Sequence, residues 1–374
     1  MNIIFLCPYA TYSHLNWIKS YRTFSTHNIL YYSLPGRHWK WRMHGAAITL
    51  ARQIQHHPEK IDLVVANDML DMPTFMALTE RKLKNIPMVT FFHENQITYP
   101  WAPGDKDVSR GRDLHYGFKN ITSALTADKV YFNSIFHMND FLKGADKLLK
   151  MMPDFQENQI IDQIKEKSKV LYMGIDFSLK INRPVDRSNG PVILWNHRWE
   201  YDKNPEEFFQ ALFKINEKNI PFKLCVMGKK SNTFPEIFNE AESKLKNNII
   251  QFGKVDSRDK YISWLNKCDI MPITSNHDFF GVSCLEGCVG GAIPLLPKRL
   301  AFLEHFPNEL RDEIYYDDFN DLVFKLENLL TNWNTFKEKV DYAYYLKKYD
   351  WKIIAKNYDQ EFYRLITTRN TNVP

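Results

Sequence analysis

Apolar runs that do not alternate between polar and apolar residues narrow the folding options of this chain more than any other feature. "NIIFLC" (2–7), "NILYYS" (28–33), "DLVVAN" (62–67), "PMVTFF" (87–92), "KVYFN" (129–133) and "KVLYM" (169–173) are short and rich in β-branched and aromatic residues. Helical stretches such as "AAITLARQIQ" and "IFHMNDFLKGADKLLKM" lie between them. A strand apolar on both sides must be covered on both sides, which predicts a parallel sheet sandwiched by helices. A polar stretch holding Pro184 and Gly190 (181–190) reads as a linker, and the pattern then restarts with "PVILW", "FKLCVM", "IIQFG", "DIMPIT" and "AIPLLP". The expected architecture is α/β, with two doubly wound, Rossmann-like halves: residues 1–180, residues 190–350, and a helical tail over 351–374 that packs back on the first half.

Length agrees with two domains, since 374 residues exceed one ordinary core. An apolar fraction of 44% with 26 Phe argues against disorder. No uncharged apolar run reaches the roughly 18 residues of a membrane span, and "MNIIFLCPYATYSHLNW" reads as a strand and loop, not a signal peptide. The odd set Cys7, Cys225, Cys268, Cys284 and Cys288 falls in or beside apolar runs, which reads as reduced core thiols and a cytoplasmic setting. Cys284, Cys288 and His277 lack the paired spacing of a structural zinc site, so no metal is expected. With 49 Lys+Arg against 44 Asp+Glu, the charge permits a polyanionic partner without requiring one.

Doubly wound sheets bind ligands outside the carboxyl ends of their strands, where strand order reverses. The first loop of the second half, "NHRWEYDKNPEEFF", places Arg198 and Lys203 ahead of a helix signalled by Asn204, Pro205, Glu206 and Glu207. Cations beside a helix N-terminus suit a diphosphate, and two solvated surface charges are an equal reading of this loop. In "NHDFFGVSCLEGCVGG" (276–291), Asp278 precedes a helix expected near Gly281, and Glu286 lies in its second turn among Val282, Leu285 and Val289. Carboxylates in this position suit the vicinal hydroxyls of a ribose or hexose, because each oxygen accepts hydrogen bonds. A solvated helix face would also carry a Glu, but burial among those neighbours makes an unpaired carboxylate costly. Together the loops describe a nucleotide-sugar pocket.

The spacing Asp278-x7-Glu286 with Phe280-Gly281 between resembles the E-x7-E signature of retaining glycosyltransferases of the GT-B fold, and Arg198-x4-Lys203 resembles their diphosphate-binding pair. "SLPGRHWKWR" (33–42), "FFHENQITYP" (91–100), "HYGFKNITSALTADKVYFNSIFHM" (115–138) and the two loops above resemble the tRNA-queuosine α-mannosyltransferase family over residues 1 to about 340. The resemblance implies two Rossmann-like domains facing across a cleft, GDP-mannose as donor, queuosine-containing tRNA as acceptor, and no cofactor or metal. It implies a donor site of His197, Arg198, Lys203, Asp278, Phe280, Gly281, Val282 and Glu286, with Glu286 on the ribose and Asp278 on the hexose. His93 joins Asp278, Arg198 and Lys203 as catalytic. Ser13, His14, Arg37, Trp39, Lys40, Trp41, Arg42, Glu94 and Asn95 are implied on the acceptor side. This chain departs from the family in carrying Asp278 for Glu, and Thr11-Tyr12 for a Gly-Gly before Ser13-His14.

From the residues alone, His93 is either functional or a core histidine, and "GRHWKWR" is either an RNA-contacting patch or an amphipathic loop with packed tryptophans. Asp105-Lys106-Asp107 reads as solvated charge, not as a metal site. The competing functions are the same chemistry on a lipid-linked or polysaccharide acceptor, and a non-catalytic nucleotide-sugar or RNA-binding protein. The absence of G-x-G-x-x-G after any strand disfavours a dehydrogenase.

Overall fold

The computed structural model describes residues 1–157, 159–179, 190–230, 234–336 and 340–371. The chain forms two compact units. The first is Met1–Gly174 together with the C-terminal helix Trp351–Thr371, and the second is Ile175–Asp350. The linker expected over 181–190 falls outside the described residues except at Gly190.

Unit 1 is built on six parallel strands: β1 (Asn2–Ala10), β2 (Asn28–Pro35), β3 (Leu63–Asn67), β4 (Met88–Phe92), β5 (Lys129–Phe132) and β6 (Ser168–Val170). Their order is β2-β1-β3-β4-β5-β6, so the winding reverses between β1 and β3. Pairing is in step, with Ile3 opposite Ile29 on one side and Leu63 on the other. β3 and β4 are buried along their whole length, as their unbroken apolar sequence requires. Helices Trp39–Gln55 and Met72–Leu83 close one core around Leu6, Leu50, Ile54, Val64 and Phe75. Helices Leu114–Thr126 and Ile135–Lys150 close another around Phe92, Ile121, Phe132 and Phe141.

The C-terminal helix belongs to unit 1 through a buried polar contact. Asp359 accepts the Tyr21 hydroxyl at 2.7 Å, the Ser25 hydroxyl at 2.6 Å and the Thr26 amide at 2.8 Å. Burial alone would raise its pKa, but these donors outweigh it and hold the carboxyl below its ordinary value.

Unit 2 holds β7 (Val192–Trp195), β8 (Lys223–Met227), β9 (Ile249–Gly253), β10 (Ile270–Pro272), β11 (Ile293–Pro297) and β12 (Tyr315–Tyr316). All run parallel in the order β12-β11-β10-β7-β8-β9, with the reversal between β7 and β10. β12, only two residues long, was not expected.

Candidate functional site

Both reversal points gather polar side chains, and many of these are buried. In unit 2 the chain leaves β7 into Asn196, His197 and Arg198, makes a short 3-10 turn at Tyr201–Lys203, and enters the helix Pro205–Glu217 from Asn204 in a left-handed conformation (φ 51°). Beyond β10 the chain runs through Asp278 to Gly281, which N-caps the helix Val282–Val289 with φ 82°. A Cβ at Gly281 would lie 2.8 Å from the Phe302 ring, so both the backbone angle and the space call for glycine.

Lys203 joins the two loops. Its ammonium donates to the His277 carbonyl at 2.8 Å and ion-pairs with Asp202 at 3.1 Å and Asp278 at 3.2 Å. Burial would depress its pKa, yet Asp278 and Asp202 hold it above the ordinary value. Asp278 is in turn kept below the usual carboxylate range: burial pushes it up, and Lys203 more than offsets that. Its other oxygen accepts the Gly281 amide at 2.6 Å and the Phe280 amide at 3.3 Å. The Gly281 amide is therefore taken, because Asp278 closes the turn ahead of the helix. Phe280 is itself buried, in edge contact with His305 and Tyr349.

Arg198 behaves differently. It is 58% exposed and paired with Glu200 at 3.0 Å. Arg198 and Lys203 thus stand among the carboxylates of Glu200, Asp202 and Asp278. Burial raises the pKa of Glu200, partly offset by Arg198, so Glu200 holds its charge less firmly than a surface carboxylate.

Glu286 is buried and paired. Its Oε1 accepts Arg258 at 2.6 Å and its Oε2 accepts the Tyr261 hydroxyl at 2.8 Å. The Asn196 amide reaches the Tyr261 oxygen at 3.2 Å and the Ser283 carbonyl at 2.8 Å, and the Ser283 hydroxyl lies 2.9 Å from His197 Nδ1. Arg258, Tyr261 and Asn196 were missed in the sequence. Arg258 and Tyr261 sit on a separate helix, Arg258–Leu265, with no local signal beyond its Ser257 cap. The imidazole of His197 is neutral at pH 7, because burial first and then the nearby Lys203 lower it to about 4. Its Nε2 is buried without a hydrogen-bond partner, as are Asn196 Oδ1 and Ser275 Oγ, and neither Asp202 oxygen has a partner besides the Lys203 ion pair. Buried polar atoms are otherwise almost always paired.

Unit 1 repeats this arrangement. The His93 side chain, at the end of β4, packs edge-on against Trp17 (4.5 Å) and His14 (4.8 Å), and burial lowers it to about 3. Asp68, at the end of β3, accepts the His93 amide at 3.0 Å and lies 3.7 Å from His93 Nδ1. Burial lifts Asp68 to about 6, against the pull of His14 and the His93 amide. Its Oδ2 and both His93 ring nitrogens are buried and unbonded. Asp68 was not singled out in the sequence, although a polar residue directly after an apolar strand is the same signal that marked His93.

The remaining residues divide. His14 Nδ1 is held by the Tyr9 carbonyl at 2.9 Å and Thr11 Oγ1 at 3.0 Å. Thr11 caps the helix Tyr12–Phe24 and bonds Ser13, while Tyr12 points outward at 66% exposure. Glu94 is half-buried beside Gln96. Asn95 is fully buried, and its carbonyl accepts the Ile97 and Thr98 amides, which makes it a loop-builder. "GRHWKWR" is not a free loop: a helix begins at Trp39. Trp39 packs on Tyr116 and Trp101, and Lys40 binds Asp105 at 2.6 Å and Asp107 at 2.5 Å. Asp105 and Asp107, expected to be solvated, are thus mostly covered. Arg37 and Trp41 remain exposed, and Arg42 is half-buried with Nε on the Pro35 carbonyl. All five cysteines are free and buried, and no group of three or more metal-ligating side chains occurs among the described residues.

The fold matches those of several solved structures. Sucrose-phosphate synthase from Thermosynechococcus elongatus superposes with a TM-score of 0.73 at 12% identity, covering 98% of this chain and 100% of that one. Anabaena HepE, solved in complex with UDP, superposes with 0.65 at 15% identity over 98% and 100%. Residues 177–343 match the glycosyl transferases group 1 model, and residues 2–175 match the tRNA-queuosine alpha-mannosyltransferase N-terminal model. Two six-stranded doubly wound units and the group 1 match make this chain a glycosyltransferase of the GT-B fold. A Drosophila melanogaster protein named tRNA-queuosine alpha-mannosyltransferase is 32% identical over 320 residues, spanning 83% of this chain and 81% of that protein. The chain belongs to the tRNA-queuosine alpha-mannosyltransferase family.

Proposed function

We propose that this enzyme transfers mannose from GDP-mannose to a cyclopentene hydroxyl of queuosine in a tRNA anticodon loop, with retention and without a metal. The observation that carries the reading is the concentration of buried, unpartnered polar atoms at the β7/β10 reversal, beside Asp278 and Glu286. Such atoms suit a ligand rich in hydroxyls and phosphates. Each Glu286 oxygen keeps an acceptor position beyond its Arg258 or Tyr261 bond, enough for a ribose diol. Arg198 leaves Glu200 for the diphosphate, while Lys203, its ammonium taken by Asp202, Asp278 and the His277 carbonyl, holds Asp278 in place for the hexose.

In the reaction the bond from the anomeric carbon to the β-phosphate oxygen breaks, and a bond from that carbon to the acceptor oxygen forms. The acceptor proton passes to the departing phosphate, and GDP leaves. Retention places attack and departure on one face, so the phosphate serves as base. Unit 1 takes the acceptor, and its neutral His93 stands near Asp68 as a hydrogen-bonding group. No helix among the described residues is long and apolar enough to cross a membrane.

The test is transfer of labelled sugar to queuosine-containing tRNA from GDP-mannose and, in parallel, from UDP-sugars. Label entering tRNA from GDP-mannose alone is the expected result. Transfer only from a UDP-sugar would overturn the donor, and labelled lipid with unlabelled tRNA would overturn the acceptor.

A further inference from the structure

The start of the helix Trp39–Gln55 and the segment 101–115 are bolted together in unit 1. Lys40 bridges Asp105 and Asp107, and its ammonium also lies 5.2 Å from the Trp101 ring. The Tyr116 hydroxyl donates to Asp107 at 3.3 Å, and His44 stacks on His115 at 5.4 Å. The Arg110 and Arg112 amides both donate to the Asp107 carbonyl, at 3.2 and 2.8 Å, which curls the chain through Gly111 at φ 61°. The acids of this assembly therefore point inward onto Lys40. Its outer layer carries exposed Arg37, Lys106, Arg110 and Arg112, with half-buried Asp113 the remaining acid of the segment.

Trp41 stands on the same helix turn, 61% exposed. A Cβ at Gly45 would lie 2.5 Å from its ring, so Gly45 is what allows the indole to rest on the following turn with its other face outward. An exposed aromatic face held by its own helix, whose first turn also anchors the cation-bearing segment 101–115, supplies the two elements of single-stranded nucleic-acid recognition: a stacking platform and phosphate contacts. A solvated charge cluster explains the arginines, but not a helix-interior glycine that seats an exposed tryptophan at a cost in helix stability.

We propose that Trp41, seated on Gly45, with Arg37, Arg110 and Arg112, forms an RNA-docking ridge on unit 1: an unpaired base stacks on Trp41 and the arginines hold the flanking phosphates. The proposal rests on tRNA being the acceptor, and it adds Arg110, Arg112, Gly45 and the Lys40 clamp to what the sequence suggested. The Lys40 ion pairs position the ridge and do not themselves bind RNA.

The test is binding of full-length protein to queuosine-containing tRNA by fluorescence anisotropy over a salt series, alongside hydrolysis of GDP-mannose without tRNA. Arg110→Ala/Arg112→Ala is expected to lower tRNA affinity at least about tenfold and to reduce the salt slope by about 2, with donor hydrolysis unchanged. Gly45→Ala improves helix propensity, so a folding defect does not confound it. By displacing Trp41 it is expected to weaken binding about tenfold with the salt slope intact. Arg81→Ala/Lys84→Ala, on exposed cations in the last turn and at the C-cap of the helix Met72–Leu83, controls for net charge and is expected to change neither. Wild-type affinity in both ridge variants, with wild-type protein binding tRNA, would overturn the ridge and leave the acceptor standing. Wild-type protein that binds no tRNA would overturn the acceptor reading and the ridge with it.

Discussion

Arg198 and Lys203 carry the same charge in the same loop, yet the structure gives them opposite consequences. Lys203 is locked between Asp202 and Asp278, so Lys203→Met strands two buried carboxylates and is expected to destabilise unit 2 by about 3–5 kcal/mol. Arg198 is exposed, so Arg198→Ala is expected to stay within about 0.5 kcal/mol of wild type in stability while losing most turnover. Paired thermal melts and initial rates separate the two, and equal melting losses in both variants would refute the assignment. Tyr261→Phe removes the hydroxyl that donates to Glu286 and is expected to raise KM for the donor more than it changes kcat. An unchanged KM would show that Glu286 does not contact the donor. At this scale the sequence was only partly readable. Charged and polar residues after apolar strands marked His93, Arg198 and Asp278, but their partners come from afar. Arg258 reaches Glu286 from another helix, and Lys40 reaches Asp105 across 65 positions. No local pattern encodes either contact.

Strands and helices were far more legible, because a strand buried on both faces must be apolar at every position and most of these were. Strand order was not legible: β7 pairs with β10, Ile193 opposite Ile270, strands far apart in sequence whose pairing no single segment reports. β12 is too short to leave a periodic signal. The start of the helix Trp39–Gln55 was also hidden, since His38 enters it at φ 57° with no capping side chain. The tail helix offers a test of how elements are joined. Asp359→Ala removes the acceptor for Tyr21, Ser25 and Thr26, and each buried donor left unpaired costs about 1–3 kcal/mol. Unit 1 should therefore melt clearly earlier, with the tail helix exposed to limited proteolysis. An unchanged melt and protease pattern would mean that the helix is held by apolar packing alone.

Across the whole molecule, burial keeps several imidazoles neutral: His93 at about 3, and His197, His277 and His305 at about 4. Each lies below the unfolded value near 6.5, so the unfolded chain binds more protons between the two, and stability falls as pH drops from about 6.5 toward 4. Asp359, held below its ordinary value, acts in the same direction at the acid end of that range. Asp68, raised to about 6, opposes them, since its proton favours the folded state between about 4 and 6. Glu200, Glu207 and Asp140, raised by burial, oppose them too, but the four histidine shifts are the larger, so melting temperature should fall on acidification at constant ionic strength. A flat or rising profile would contradict neutral, buried imidazoles at the two reversal points. If these reversal points serve sugar transfer to a modified tRNA base, the product is visible by mass spectrometry of nucleosides from queuosine-containing tRNA incubated with the enzyme and GDP-mannose. The expected result is a queuosine nucleoside heavier by one hexose, absent with Arg198→Ala. Unmodified queuosine alongside steady GDP release would contradict it, leaving a glycosyltransferase whose acceptor lies elsewhere.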